Sequence, residues 1–190
     1  MNLKRLLITL STALLLIVVT FWIVKSEPMT ATELSEAGIA FGDPEAPNTV
    51  IEFSNFECPY CKQQHDTLAP TLKELIDTGK VHYVFKPVTI EYYEKASVIE
   101  NRLKISGEEK LDWEALDYLF ANQTDWKKEG KNSLIERLEA HTPSDGTLLP
   151  VEELNGEAES LGLESVPTLI INGNKVEKLL SEEELLHELD

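Results

Sequence analysis

Two cysteines, Cys58 and Cys61, are the only ones in the chain of 190 residues, and Pro59 and Tyr60 separate them. The residues before them, 49–56, form an apolar segment typical of a buried strand, and those after them favour a helix. At a helix start, unpaired N–H groups and the positive end of the dipole stabilise a thiolate, so a cysteine pKa can fall from ~8.5 to ~3.5–7.5. The spacing therefore predicts a redox pair, with Cys58 as the attacking thiolate and Cys61, one turn later, as the resolving thiol.

Two other uses of the cysteine pair are a structural disulfide and a zinc site. A disulfide that closes so short a loop stabilises a fold only slightly. Zinc takes about four ligands, and the four histidines of the chain are 17, 59 and 46 residues apart, which is too far for a paired zinc motif. We therefore expect neither a metal nor a cofactor. A non-enzymatic chaperone or binding module with a structural cysteine pair remains an alternative.

The charge of the chain limits its partners. The formal net charge is −17, and beyond residue 24 it is −19, from 34 acidic and 15 basic residues. Such a surface excludes nucleic acid as a partner, because basic contacts to phosphate dominate that binding. It also argues against a soluble domain that lies flat on anionic lipid.

Residues 1–25 have the pattern of a membrane anchor or signal segment. Residues 6–24 carry no charge and follow Lys4 and Arg5. A helix of this length reaches ~28 Å at ~1.5 Å per residue, enough to cross the hydrocarbon core of a bilayer. Because basic residues favour the cytoplasmic side, we expect a single-pass protein with its catalytic domain outside. Cleavage near Ser26 would instead release a periplasmic or secreted domain.

After a tether over 26–40, the order of the elements predicts an α/β fold. Residues 41–90 contain a strand, the cysteine helix and a second strand, which predicts parallel pairing with a right-handed crossover. Residues 91–161 have the apolar periodicity of three or four helices, with 124–130 as one of the breaks between them. Residues 162–190 suit a strand, a hairpin strand and a helix. The order resembles a thioredoxin fold in which 91–161 is an inserted helical domain.

Local signals refine this order. Pro70 lies inside the cysteine helix, where we expect a kink or break. Asn172–Gly173 predicts a tight hairpin turn, followed by a strand over 174–179. Ser181 begins the pattern of a capping box for the last helix. Trp113 and Trp126 are expected to pack in the core.

Four segments together resemble the DsbA-type thiol:disulfide oxidoreductases: 42–47, 52–61, 166–168 and 172–173. The resemblance covers about 41–190, and it implies a thioredoxin fold with an inserted helical domain, anchored in or exported from a bacterium. It further implies an enzyme that passes its disulfide to reduced or misoxidised exported proteins. A membrane quinone-linked partner would then reoxidise it. We also expect a monomer, because the chain before the fold is too short for a dimerisation domain.

The same resemblance suggests which residues contact substrate. Pro167 corresponds to a proline that is cis in the family and faces the cysteines, and a cis X-Pro bond costs only ~0.5–1 kcal/mol. Val166 would offer its backbone to an extended substrate segment. Pro59 and Tyr60, between the cysteines, complete the expected substrate-binding set.

Glu52 is the expected proton acceptor. It lies in an apolar strand, where a carboxylate is rare without a partner or a task, and burial would raise its pKa. A glutamate under the helix could take the proton of Cys61 when that thiol attacks a mixed disulfide. His65 follows on the same helical face and could add positive charge near Cys58, but a packing role fits it equally well.

The dipeptide between the cysteines leaves the direction of electron flow open. The best-known oxidases have Pro-His, whereas this chain has Pro59 and Tyr60. Tyrosine cannot stabilise a thiolate as histidine does, so we expect a potential below that of the strongest oxidases and well above that of thioredoxin, ~−270 mV. An extracytoplasmic thiol reductase or isomerase is the alternative.

Overall fold

The computed structural model describes residues 34–143 and 145–190. Within them, a five-stranded sheet has the order β1-β3-β2-β6-β7, and a two-stranded sheet pairs β4 with β5. The strands are β1 Ile39–Phe41, β2 Asn48–Ser54, β3 Val81–Pro87, β4 Lys104–Ile105, β5 Thr147–Leu148, β6 Thr168–Ile171 and β7 Asn174–Val176. The helices are α1 Pro59–Asp77, α2 Glu94–Glu100, α3 Glu109–Ala121, α4 Gln123–Trp126, α5 Lys131–His141, α6 Val151–Ser160 and α7 Glu182–Glu188.

The strand–helix–strand unit β2-α1-β3 forms the centre of the molecule, as the sequence predicts. β2 and β3 pair in parallel, with Val50 opposite Tyr83 and Glu52 opposite Phe85. β6 pairs with the other edge of β2 in the antiparallel direction. This arrangement is the mixed α/β sheet of a thioredoxin-like fold, and it brings the start of β6 beside the end of β2.

Both faces of the sheet are covered, which explains why the central strands are apolar throughout. Side chains that alternate along β2 and β3, such as Val50 and Tyr83, pack with α1 and the helices after β3 in the larger core. The opposite face, including Ile51 and Val84, packs against Leu34 and the end of α6 in a smaller core. The side chains of Trp113 (6% exposed) and Trp126 (0%) are buried in the larger core, as expected.

The segment between β3 and β6 contains five helices and the β4–β5 pair in its described residues, whereas the sequence predicts three or four helices. One source of the difference is the predicted break at 124–130, because Gln123–Trp126 forms the short helix α4. Gln123 and Trp126 are both buried. Tertiary packing therefore favours a turn of helix where local sequence favours a loop.

Three local predictions need correction. The predicted break at Pro70 is wrong, because the 19-residue helix α1 continues through Pro70 and ends before Gly79, whose φ is +67°. The hairpin partner strand is shorter than 174–179 and ends at Val176. The predicted tether 26–40 overlaps β1, which pairs with β3 and buries the side chains of Ile39 and Phe41.

Other local signals are confirmed. Asn172 and Gly173 have φ of +50° and +84°, the left-handed conformation that such a hairpin turn requires. Ser181 and Glu184 form the complete capping box of α7. Residues 1–33, and with them the predicted anchor, lie outside the described part of the chain. Among the described residues, the structure shows no helix with the length and apolar character that a bilayer crossing requires.

Candidate active site

The cysteine pair sits where β2 leads into α1. Cys58 is the N-cap of α1, and Pro59 occupies the first helical position, where its missing N–H costs no hydrogen bond. Both cysteines are free thiols. Cys58 exposes 4% of its surface and Cys61 none, whereas the side chain of Tyr60 is 61% exposed. The site thus presents Tyr60 to solvent, leaves a small opening at Cys58 and shields Cys61.

The pKa values of the two thiols are shifted in opposite directions. The pKa of Cys58 falls from 9.0 to about 6, mainly because of the hydrogen bond with the Cys61 side chain; the backbone N–H groups of Cys61 and Tyr60 and the side chain of Tyr93 also lower it, while burial acts against them. Burial, followed by the neighbouring Cys58, raises the pKa of Cys61 far above its ordinary value. Cys58 is therefore a thiolate at neutral pH, and Cys61 is its protonated partner.

The loop before β6 completes the opening at Cys58. Thr168 pairs with Phe53 at the end of β2, which places the preceding residues beside the cysteines. The Val166-Pro167 peptide bond is cis, as the family resemblance implies. The Sγ atom of Cys58 lies 3.9 Å from the carbonyl oxygen of Val166. The backbone of Val166 therefore borders the reactive sulfur directly.

Glu52 is buried, with 1% of its surface exposed, on the face of β2 that packs against α1. The hydroxyl of Tyr83 donates a hydrogen bond of 2.9 Å to Oε2 of Glu52. Its Oε1 atom has no hydrogen-bond partner among the described residues. Burial raises the pKa of Glu52, although His65 and the hydrogen bond from Tyr83 act in the opposite direction. One oxygen of this carboxyl group is thus fixed by Tyr83, and its raised pKa comes from burial.

His65 is a packed residue that contacts the insertion. It is 7% exposed and lies one helical turn beyond Cys61 on the buried face of α1. Its ring stacks on Phe120 with a centroid distance of 4.6 Å, and its Nε2 lies 2.7 Å from Oδ1 of Asp117. These contacts join α1 to α3 through His65, which also lowers the pKa of Glu52.

Sequence reasoning missed a set of contacts through which the insertion holds the turn before α1. The Nε2 of Gln123 donates hydrogen bonds to the carbonyl oxygens of Phe56 (2.7 Å) and Cys58 (2.9 Å). Lys127 donates from Nζ to the carbonyl oxygen of Glu57 at 3.0 Å. Gln123 begins the short helix α4 and Lys127 directly follows it. Nothing in the local sequence distinguishes these two residues from solvent-facing polar residues.

Glu57 makes a return contact from the turn to the insertion. Its Oε2 accepts hydrogen bonds from the backbone N–H groups of Lys95 (3.0 Å) and Ala96 (3.1 Å) at the start of α2. A carboxylate in this position satisfies free N–H groups and interacts favourably with the helix dipole. The turn and the insertion are therefore linked in both directions. Among the described residues, no three His, Cys, Asp or Glu side chains converge on a possible metal position.

Comparison with known proteins identifies the class. A family model described as thioredoxin matches residues 34–190, so the chain belongs to this thioredoxin family. The Na⁺/H⁺ antiporter NhaA 1 of Salinispora arenicola is 29% identical over 145 residues, which cover 70% of this chain and 21% of the antiporter. The chain therefore spans about a fifth of the length of that relative. The disulfide bond formation protein D of Bacillus subtilis is 24% identical over 164 residues, 76% of this chain and 72% of that protein.

Solved structures agree with this assignment at the level of fold. A conserved protein of unknown function from Enterococcus faecalis superposes with a TM-score of 0.74 at 24% identity, covering 86% of this chain and 95% of the other. The α-DsbA1 protein of Wolbachia pipientis superposes with a TM-score of 0.63 at 20% identity, covering 83% and 90%. These solved structures therefore share the fold of this chain.

Proposed function

We propose that this protein is a thiol:disulfide oxidoreductase that donates a Cys58–Cys61 disulfide to reduced or misoxidised proteins outside the cytoplasm. The observation that carries the proposal is the asymmetry of the pair. Cys58 borders an opening and has a pKa of about 6, whereas Cys61 is fully buried. A thiol of low pKa is a good leaving group, and a shielded second thiol is protected from side reactions.

The proposed reaction has two exchange steps. A substrate thiolate attacks Sγ of Cys58 in the disulfide form, the Cys58–Cys61 bond breaks, and Cys61 receives the electron pair and a proton. A second substrate thiolate then attacks the substrate sulfur of the mixed disulfide, and Cys58 leaves as a thiolate. Two electrons pass to the protein, and two substrate thiols become one disulfide.

Glu52 is proposed to exchange the proton of Cys61. Burial raises the pKa of Glu52 and so favours the form that can give a proton to Cys61 when Cys61 leaves as a thiolate. Its Oε1 atom, which has no partner among the described residues, is the oxygen available for this transfer. The hydrogen bond from Tyr83 fixes the other oxygen.

The proposed substrate surface surrounds Cys58. Val166 and Pro167 border it on one side, and the exposed Pro59 and Tyr60 lie on the other. A groove of about 320 Å³ continues from Val166. Its apolar lining includes Val88, Ile90, Ala158 and Leu163, and its acidic lining consists of Glu159 and Glu164. An extended, unfolded segment with apolar and basic side chains fits this surface.

The proposed location follows from the N-terminal sequence. Residues 1–25 would anchor a monomeric protein in a bacterial cell membrane, with the domain on the outer side. A membrane quinone-linked partner would then return the reduced cysteines to the disulfide. The name of the Bacillus subtilis relative describes disulfide bond formation, and disulfides form and persist in oxidising compartments outside the cytoplasm.

The test is oxidative folding. The oxidised protein is incubated with a reduced, unfolded enzyme whose activity needs its disulfides, and recovered activity is followed over time. We expect stoichiometric recovery by the oxidised protein and none by Cys58→Ser. Equal assistance by Cys58→Ser would favour a binding module, and efficient reduction of insulin without substrate oxidation would favour a reductase.

A further inference from the structure

Asn55 is the centre of the turn that presents the cysteines. Its backbone N–H donates to Sγ of Cys61 at 3.3 Å, and its carbonyl oxygen accepts from the N–H of Cys58 at 3.1 Å. Its Oδ1 accepts from the N–H of Glu57 at 2.9 Å. Its Nδ2 donates to the carbonyl oxygen of Val88 at 2.8 Å. The main chain and side chain of one residue thus fix both cysteines relative to β3.

The second hydrogen of the Asn55 amide reaches a buried acid of the insertion. Nδ2 lies 3.1 Å from Oε1 of Glu100, the last residue of α2. Glu100 is fully buried. The hydroxyl of Thr89 donates to Oε2 of Glu100 at 2.7 Å. In the described part of the chain, no salt bridge neutralises this carboxyl group. A buried acid with neutral partners alone is costly to ionise, and the fold alone does not explain it.

We infer that Glu100 is a positioning residue of the redox centre, acting on Cys58 and Cys61 through Asn55 and opposing the Cys58 thiolate when it is ionised. This inference rests on the proposed function and adds a regulatory contact from the insertion. Like charges in a poorly solvated site repel, so the thiolate and the Glu100 carboxylate disfavour one another.

The ionisation of Glu100 falls near neutral pH. The pKa of Glu100 rises from 4.5 to about 7, mainly because of burial; within this net change the hydrogen bond from Thr89 lowers it and the charge of Glu57 raises it. Asn55 and Thr89 contact the carboxyl group of Glu100, and Glu57 acts on it by charge. Asn155 of α6 in turn donates a hydrogen bond to Thr89. Because the reduced, thiolate-bearing form holds the Glu100 proton more tightly, the cysteine pair becomes less oxidising as pH rises through this range.

The test measures the equilibrium constant of the cysteine pair with glutathione between about pH 5.5 and 8.5. Glu100→Gln removes the charge; its amide oxygen still accepts from Asn55, while its NH2 group can donate to the Thr89 hydroxyl, which reverses the second hydrogen bond. We expect this variant to be about three- to tenfold more oxidising than the wild type near pH 8 and equal to it within about twofold near pH 5.5, where tenfold corresponds to ~30 mV. The control is Glu94→Gln, which removes an exposed carboxylate (77% exposed side chain) from the same helix. Parallel pH profiles of wild type and Glu100→Gln would overturn the inference.

A second variant tests the same point without altering the acid. Thr89→Val removes the hydrogen bond to Oε2 while keeping the side-chain shape, so it should move the inflection of the glutathione profile to higher pH. An unmoved inflection would count against the inference. Both measurements need only an equilibrating cysteine pair. They therefore succeed or fail independently of whether the protein oxidises exported substrates.

Discussion

At the scale of single residues, the acidity of Cys58 depends mainly on its partner. The position at the start of α1 supplies N–H groups from Tyr60 and Cys61, but the hydrogen bond with the Cys61 side chain makes the largest contribution. Tyr60 is 61% exposed, and it lowers the pKa of Cys58 through its backbone N–H group and not through its side chain. Tyr93, which lies just before α2, lowers this pKa through its side chain. The two thiols therefore titrate as a unit.

Removing the Cys61 thiol should raise the pKa of Cys58. A hydrogen bond to a charged group contributes ~1.5–3 kcal/mol, and one pKa unit corresponds to ~1.36 kcal/mol. We predict that Cys61→Ala raises the pKa of Cys58 by about one to two units, measured by the ultraviolet absorbance of the thiolate. Cys61→Ser is the control, since its hydroxyl still donates and should keep the pKa nearer to 6. A pKa that stays at about 6 in Cys61→Ala contradicts this origin.

The proposed role of Glu52 predicts a selective kinetic defect. Glu52→Gln keeps an acceptor for the Tyr83 hydroxyl but cannot exchange a proton. We expect the step in which Cys61 attacks or leaves to slow by about 10²-fold, the lower range for general acid–base catalysis. Alkylation of the Cys58 thiolate should remain at the wild-type rate. If stopped-flow measurements show both reactions unchanged, the proton passes directly to water and Glu52 has only a structural role.

At the scale of elements, the insertion supports the catalytic turn from several sides. Gln123 of α4 donates a hydrogen bond to the turn before α1. Glu57 of this turn accepts one from the start of α2, and Asn55 donates one to Glu100 at the end of α2. The partner residues are 38 to 67 positions apart along the chain. Glutamine and glutamate are ordinary surface residues of helices, so the sequence could predict the position of the insertion but none of these contacts. It could predict the cysteine helix, the cis Pro167 and the buried Glu52, because each depends on local pattern or on family resemblance.

Glu100 should also make stability depend on pH. Its folded-state pKa of about 7 lies above the unfolded value of 4.5, so the folded protein binds more protons between these values and stability falls as pH rises through the window. The shift corresponds to about 3 kcal/mol. We predict that, relative to Glu100→Gln, the wild type loses roughly this free energy of unfolding between pH 4.5 and 7 and little more above it. Urea unfolding of the reduced proteins at a series of pH values measures the difference. A pH-independent difference would mean that Glu100 is not held neutral by the fold.

A buried ion pair joins the other face of the sheet to α6. Lys86, fully buried, donates from Nζ to Oε2 of Glu157 and to the carbonyl oxygen of Ser35, each at 2.6 Å. Breaking a buried pair from one side leaves an unpaired charge, which costs ~3–5 kcal/mol. We predict that Lys86→Met destabilises the protein by about this amount in urea unfolding. The double variant Lys86→Met with Glu157→Leu should recover most of it, because no charge is then left buried. A single variant that costs below about 1 kcal/mol would contradict the pairing.

In the molecule as a whole, local sequence signals predict some elements of the fold, whereas long-range packing determines others. Parallel pairing of β2 with β3 follows from chain order, and the hairpin at Asn172 from turn chemistry. The strand β1 and the continuity of α1 through Pro70 depend on packing against the rest of the fold, which overrides local preference. The same reasoning applies to α4, whose four residues become helical because Gln123 and Trp126 are buried.

If this protein gives its disulfide to other proteins, the reduction potential of the Cys58–Cys61 couple must lie above that of a reductase. The potential increases as the thiolate-bearing reduced form is stabilised relative to the disulfide. With a Cys58 pKa of about 6, we predict a value more than ~30 mV above the ~−270 mV of thioredoxin and below the ~−120 mV of the strongest oxidases. The measurement is the redox equilibrium of the purified protein with glutathione at neutral pH. A potential at or below that of thioredoxin, together with efficient reduction of insulin, would contradict the claim and identify a reductase.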